Sequence, residues 1–314
     1  MNINALDTIA ASVGGWRPPH IPEHIPHGDM PGDKVQIGPE HIAKANAIFP
    51  LLAPMAAEKA AAGRVVIAVC GGSGVGKSEI ASLLSHYFRS AGAGSYTLSG
   101  DNYPRRIPMY NDAERNSIFR AAGLRGLVAA GVYGEEVQKI LSELWEKETD
   151  AEPGLTARYQ WLAVYQRSGR EALSGYLGAC AEQDYAELNG IIEKFHGGAD
   201  KIWLKRMGRT EDARWYDKAD MSDTNVLIIE WTHGNSDYLR GVDIPILLNS
   251  TPEQTRAHRR ARSRDGKTDS AFTTMVLEIE QAELDRCAHK AMIIVAKTGE
   301  LLSYAQYRAE MEGK

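Results

Sequence analysis

The sequence predicts a three-layer α/β/α domain around a five-stranded, doubly wound parallel sheet, with a helical insertion and an N-terminal arm. Three observations lead there. Residues 71–78 read Gly-Gly-Ser-Gly-Val-Gly-Lys-Ser, a glycine loop closed by Lys77 and Ser78. The β-branched run Arg64-Val-Val-Ile-Ala-Val-Cys70 precedes the loop, and Ile80, Leu83, Leu84, Tyr87 and Phe88 follow it at helical spacing. Further short apolar runs recur downstream, separated by helical stretches.

In chain order, residues 1–63 form the arm and a helix. Residues 1–40 are rich in Pro, Gly and His. Pro22 and Pro26 keep His20, His24 and His27 off a common helical face, so a packed irregular arm is expected rather than a metal site. Gly28-Asp-Met-Pro-Gly32 reads as a loop, because strand and helix patterns do not flank it. Residues 41–62 read as helix, interrupted at Pro50 and Pro54 and stopped at Gly63. The core covers 64–120 and 211–314, with strands at 64–70, 95–99, 225–231, 242–248 and 291–296. Pro245 removes a ladder donor and places its strand toward the sheet edge. Residues 121–210 form the insertion, where no strand pattern is read. Its own core is three helical stripes: Val137, Ile140, Leu141, Leu144 and Trp145; Leu173, Tyr176, Leu177 and Cys180; Leu188, Ile191, Ile192 and Phe195. Pro153 suits the first turn of a further helix.

Composition narrows the function classes. The 314 residues are 43% hydrophobic and 25% charged, as in a protein with a buried core. A net charge of −5 gives no footprint for nucleic acid. No apolar run reaches the length of a membrane span, and Met1–Asp7 lacks a signal-peptide pattern. Cys70, Cys180 and Cys287 lie far apart, which fits a reducing compartment and a cytoplasmic protein.

Gly71, Gly72, Ser73, Gly74, Val75 and Gly76 let the backbone curl, so that successive N–H groups face phosphate oxygens. The helix opening at Lys77, Ser78 and Glu79 adds its positive end. Lys77 reaches the β- and γ-phosphates of a nucleotide, and the Ser78 hydroxyl suits Mg²⁺. Ligands of open α/β sheets lie beyond the carboxyl ends of strands. Two carboxylates stand there. Glu230 ends the third strand and suits Mg²⁺, and Asp101 follows the second and suits proton acceptance from a substrate hydroxyl. Thr251-Pro252 caps a helix bearing five arginines within residues 256–264. Arg256, Arg259, Arg260 and Arg264 share a broad face and read as a phosphate-covering lid ended by Gly266.

These parts, in this order, resemble the phosphoribulokinase/uridine kinase group of P-loop kinases over about 64–110 and 215–297. The matching residues are Gly71 to Ser78, Asp101-Asn-Tyr103, Trp215-Tyr216-Asp217, Ile229-Glu230 and Arg259 to Asp265. Trp231 departs from the glycine usual after the strand-end Glu in that group. The resemblance implies that Lys77 and Ser78 serve ATP and Mg²⁺, and that Asp101 is base or substrate anchor. It also implies that Tyr216 and Asp217 line the acceptor pocket, that Arg260 and Arg264 close on the phosphates, and that the Glu230 strand lies beside the loop strand. Leu98-Ser-Gly-Asp101-Asn102-Tyr-Pro-Arg105, with Arg115, Asn116 and Arg120, is also similar to adenylylsulfate kinases, where Asp101, Asn102, Arg105 and Arg120 would hold a sulfonucleotide.

The expectation is an ATP- and Mg²⁺-dependent kinase acting on a hydroxyl of a small metabolite: a nucleoside, a sugar or a sugar phosphate. No base-reading motif separates ATP from another nucleoside triphosphate. A sulfonucleotide kinase and an NTP-hydrolysing switch are the alternatives; the switch would be indifferent to Asp101. The expected partner is a small acceptor, with neither nucleic acid nor membrane, and a homo-oligomer stays open.

Overall fold

The computed structural model describes residues 4–262 and 270–312. The arm begins with α1 (Asn4–Ser12) and passes through irregular chain to α2 (Pro39–Ala60). Then come β1 (Val65–Gly71), α3 (Lys77–Ser90) and β2 (Ser95–Ser99). Four helices follow: α4 (Pro108–Ala129), α5 (Glu135–Glu146), α6 (Leu162–Ser174) and α7 (Tyr185–His196). A hairpin of β3 (Lys201–Met207) and β4 (Arg214–Asp220) returns the chain to β5 (Val226–Glu230) and β6 (Ile244–Leu248). The chain ends through α8 (Pro252–Arg262), α9 (Ala271–Cys287), β7 (Ile293–Val295), β8 (Leu301–Leu302) and α10 (Tyr304–Glu312).

The main sheet has the order β2-β5-β1-β6-β7-β8. All neighbours pair in parallel except β7 and β8. The parallel part is the predicted five strands; β8 adds a sixth, a two-residue antiparallel edge too short to read in sequence. Alternation along β1 builds the layers. Val65, Ile67 and Val69 face a core shared with α1, α2 and α3, while Val66 faces α7 and the hairpin. A third core, holding Phe119, Leu141, Leu162, Tyr165 and Leu173, joins α4, α5 and α6 to α9.

Several expectations are corrected. Pro245 lies on an inner strand, not toward the edge. Its carbonyl accepts from Met292 N at 2.9 Å, so its nitrogen faces the same side, where pairing to β7 begins only at Ile246–Ile293. No ladder bond is lost there. The helix α2 runs unbroken through Pro50 and Pro54. Each proline costs a helix interior about 3 kcal/mol. Full burial of Ile48, Phe49 and Leu52 offsets this at roughly 1.5–3 kcal/mol each. Residues 201–207 are a strand, where none was read. Lys201 and Trp203 are exposed and Ile202 and Leu204 buried, but an apolar Trp203 on the outer face blurs that alternation. The stripe containing Leu173 leaves its helix at Ser174; Tyr176 and Leu177 are buried in the following turn, and Cys180 is exposed. Pro153 opens a short 3₁₀ turn, Pro153–Ala157, instead of an α-helix.

Trp231, the departure after Glu230, is 1% exposed and lies over Gly100. A Cβ at Gly100 would sit 2.1 Å from Trp231 Cγ. Gly100→Ala is therefore expected to destabilise by about 1–3 kcal/mol through overpacking, and a Gly100→Ala/Trp231→Leu pair to recover part of the loss. Urea unfolding measures both.

Candidate functional site

The glycine loop joins β1 to α3, and its shape depends on three left-handed glycines, Gly71 (φ 148°), Gly74 (φ 77°) and Gly76 (φ 96°). Gly71 also packs so closely on β6 that a Cβ would meet the Leu248 carbonyl at 2.5 Å. Lys77 Nζ donates to Gly72 O at 3.1 Å, so the ammonium group arches back over the loop. Val75 and Glu79 are buried beneath. Ser250 lines a small recess beside Gly72 and Ser73, and its buried hydroxyl has no partner among the described residues. The recess offers a donor and acceptor beside the glycine loop.

Pairing of β5 between β1 and β2 brings the strand-end groups together. The Glu230 carboxylate accepts from Ser78 Oγ at 3.2 Å and from Ser99 Oγ at 2.5 Å. Burial, and then the charge of Asp101, pushes Glu230 up to about 8. Asp101 is exposed at its surface, in the short turn that follows β2. Burial raises its carboxyl, and Lys77 and Arg115 offset this only in part. Two carboxylates and a hydroxyl converging where negative charge is undercompensated suit Mg²⁺, which prefers oxygen donors. Ser78 and Glu230 would hold it, and it would neutralise charge on the phosphates.

The arm enters the site twice, which sequence reading missed. The His41 ring packs against Gly76, where a Cβ would lie 2.9 Å away. Asp29 accepts from Ser99 N at 2.8 Å, Asn102 Nδ2 at 3.0 Å and Tyr96 OH at 3.0 Å. It pairs with Arg206 at 2.8 Å, both side chains 8% exposed. Burial raises Asp29 despite that partner. Asp29 thus ties the arm to the segment carrying Asp101. The one trace in sequence was an Asp beside glycine in a turn-like stretch.

A cleft of about 630 Å³ opens beside the loop, with Ser73, Arg115 and Glu280 in its wall. Arg115 pairs with Glu182 at 2.7 Å and Glu280 at 3.6 Å. Burial would raise Glu182, but Arg115 and the Gly178 amide hold it below its ordinary value. Burial keeps Glu280 raised. Arg120 forms a two-contact pair with Asp150, at 3.2 and 3.0 Å, on the same cleft. Tyr103 is fully buried in the core under the Lys205 ammonium. Arg105 is bound to Cys180 O at 2.7 Å and near Asp184. Tyr216 and Asp217 lie exposed on β4; Asp217 reaches Arg206 at 3.1 Å and so connects to Asp29. The structure brings Lys77, Ser78, Asp101 and Glu230 together and leaves Tyr103, Arg105, Tyr216 and Asp217 outside that group. The Arg260 side chain and all of Arg264 lie outside the described residues.

Loop, strand order and strand-end carboxylates define a P-loop α/β fold, as the sequence predicted. Three quarters of the chain has a named relative. The bifunctional alpha-galactosidase/sucrose kinase AgaSK of Mediterraneibacter gnavus is 36% identical over 236 residues, 75% of this chain and 20% of that protein. The chain thus spans about a fifth of the relative's length. A structure from Silicibacter sp. TM1040, provisionally described as a fructose transport system kinase, is 14% identical and covers 73% of this chain and 86% of its own, with TM-score 0.41. Another from Bacillus stearothermophilus, provisionally described as a uridine kinase, is 14% identical over 74% of this chain and 88% of its own, with TM-score 0.36. No protein-family model matches the chain. Among the described residues, no helix is long and apolar enough to cross a membrane.

His233 follows Glu230 and packs on Trp231 and Gly178. Burial lowers it to about 4, against the pull of Glu182. The unfolded chain therefore takes up a proton that the folded one refuses, and stability is lost as pH falls from 6.5 toward about 4. His233→Gln is expected to flatten that stretch of the melting-temperature profile; an unchanged profile would exclude His233 as its source.

Proposed function

We propose that the chain is an ATP- and Mg²⁺-dependent kinase that phosphorylates a hydroxyl of a small metabolite, and that the metabolite is a sugar. One observation carries the kinase reading: Lys77, Ser78, Glu230 and Asp101 converge at the carboxyl ends of three adjacent strands. The acceptor oxygen forms a bond to the γ-phosphorus, the bond to the ADP oxygen breaks, and Asp101 takes the hydroxyl proton. A carboxylate raised above its ordinary value is a better base near neutral pH than one at that value. Lys77 spreads the developing charge, while Ser78 and Glu230 hold the metal. Arg260 and Arg264 would cover the phosphates.

The sugar comes from the relative, whose name includes sucrose kinase. That name agrees with the resemblance to P-loop kinases and favours a sugar over a sulfonucleotide. Residues 121–210 would then form the acceptor side of the molecule. Helix α4 crosses residue 120 and the β3–β4 hairpin crosses residue 210, so the insertion is continuous with the core. Asp217, through Arg206, and Asp29 would position the Asp101 segment without touching substrate.

Asp101→Asn is expected to lower kcat by about 10²–10⁴ while ATP still binds. Lys77→Ala is expected to abolish turnover with the circular dichroism spectrum unchanged. Labelled-ATP transfer and calorimetry measure both. Full turnover by either variant sinks the assignment.

A further inference from the structure

We infer that a cavity of about 370 Å³ at the carboxyl end of β5 is the acceptor site, where His233 and Glu280 hold hydroxyl groups of the sugar. This rests on the kinase reading and adds to it the place and two contacts.

The place follows from the walls. Three segments form them: the turn after α6, the loop that leaves Glu230, and α9. The first belongs to the insertion, and the second continues the strand that ends in the site. Glu280 of α9 also lines the recess beside Gly72 and Ser73. The next residue, Gln281, has Oε1 3.7 Å from where a Cβ on Gly72 would be. The cavity therefore meets the glycine loop across a single turn of helix. Lys77 acts electrostatically on both His233 and Glu280. The volume is within the roughly 300–1,000 Å³ of small-molecule sites.

His233 is built into its position. Its ring meets Trp231 edge-on, with centroids 5.1 Å apart and planes at 84°. On another side it lies against Gly178, where a Cβ would come 2.8 Å from Nδ1. Gly178 is itself fixed. Its φ is 67°, its N–H donates to Glu182 at 2.7 Å, and its carbonyl accepts from Tyr185 OH at 2.7 Å. Yet neither ring nitrogen of His233 has a hydrogen bond among the described residues. A partly covered imidazole that packing orients, and that no protein group satisfies, calls for an outside partner.

The partner's chemistry follows from what the cavity offers. Burial keeps His233 neutral near pH 7, so its ring has one donor and one acceptor. Glu280 Oε1 lies 3.6 Å from Arg115, and its Oε2 has no hydrogen bond among the described residues. Thr232 and Ser236 add hydroxyl groups to the same wall. A sugar hydroxyl donates and accepts at once. Neighbouring hydroxyls of one ring can therefore engage the imidazole and the carboxylate together.

The test uses the full chain with labelled ATP and Mg²⁺, and sucrose, glucose, fructose and uridine as acceptors. His233→Leu removes both ring nitrogens. Ser174→Trp fills the cavity from an exposed position at the end of α6, and keeps the test open where the first variant fails to fold. Each is expected to raise KM for the sugar by about tenfold, as loss of one or two hydrogen bonds would, with KM for ATP unchanged. His233→Gln, which keeps a donor and an acceptor, is expected to stay within about threefold of the wild-type sugar KM. An unaltered sugar KM in either His233→Leu or Ser174→Trp overturns the cavity as acceptor site and leaves the kinase reading standing. An equal rise in KM for ATP, or a His233→Gln variant as poor as His233→Leu, overturns the contact with His233. Preferred transfer to uridine overturns the substrate class alone. Wild-type transfer to none of the four, with ATP bound, sinks the sugar reading as well.

Discussion

The insertion of β5 between β1 and β2 is the constraint from which the rest of the site follows. Register pairs Glu230 with Val69 on one side and Ser99 on the other. One carboxylate is thereby placed between the first helical turn after the glycine loop and the end of β2. Because parallel strands all point their carboxyl ends the same way, Lys77, Ser78, Asp101 and Glu230 must crowd into one volume. No loop has to be long or flexible to assemble them. The order β2-β5-β1 does it with backbone hydrogen bonds alone.

That crowding has an electrostatic consequence. Burial lifts both Glu230 and Asp101, and the charge of Asp101 lifts Glu230 further, while Lys77 and Arg115 supply only part of the balance. Arg115 is itself divided among Glu182, Glu280 and Asp112. A site in this state would gain from a divalent cation, which would favour the ionised form of Glu230; on the proposed reading Asp101 would then act as base. The fold holds the charge imbalance in place because its carboxylates are anchored. Glu230 is held by two serine hydroxyls, and the backbone beside Asp101 by Asp29.

The legible part of this protein was the local part. The glycine loop, its strand and its helix are contiguous, and their chemistry is written in eight residues whose spacing has one structural use. Strand-end Glu230 and Asp101 were readable because an apolar run and a carboxylate are adjacent in sequence. Asp29 was not readable, since its partner Arg206 is 177 residues away and neither belongs to a motif. The inner place of Pro245 depends on where a neighbouring strand begins, and the unbroken α2 on how much side chain it buries. Both are tertiary quantities. Trp231 was visible as a departure, but its reason, the bare Gly100 beneath it, appears only when β2 and β5 lie side by side.

The arm is best understood through that same dependence. Asp29 and Arg206 form a nearly buried ion pair, and such a pair contributes little net stability relative to apolar packing. Its value lies in geometry. Asp29 makes hydrogen bonds to Tyr96, Ser99 and Asn102, and Arg206 extends the connection to Asp217 on the outer strand of the hairpin. Three segments far apart in sequence therefore meet on the residues flanking Asp101. In the proposed mechanism Asp101 accepts a proton over a hydrogen-bond distance, and such a base tolerates little positional error. A rigid, fully hydrogen-bonded anchor behind it is worth more to the chemistry than an apolar contact of equal area. The hairpin and the arm are in this sense parts of the candidate site.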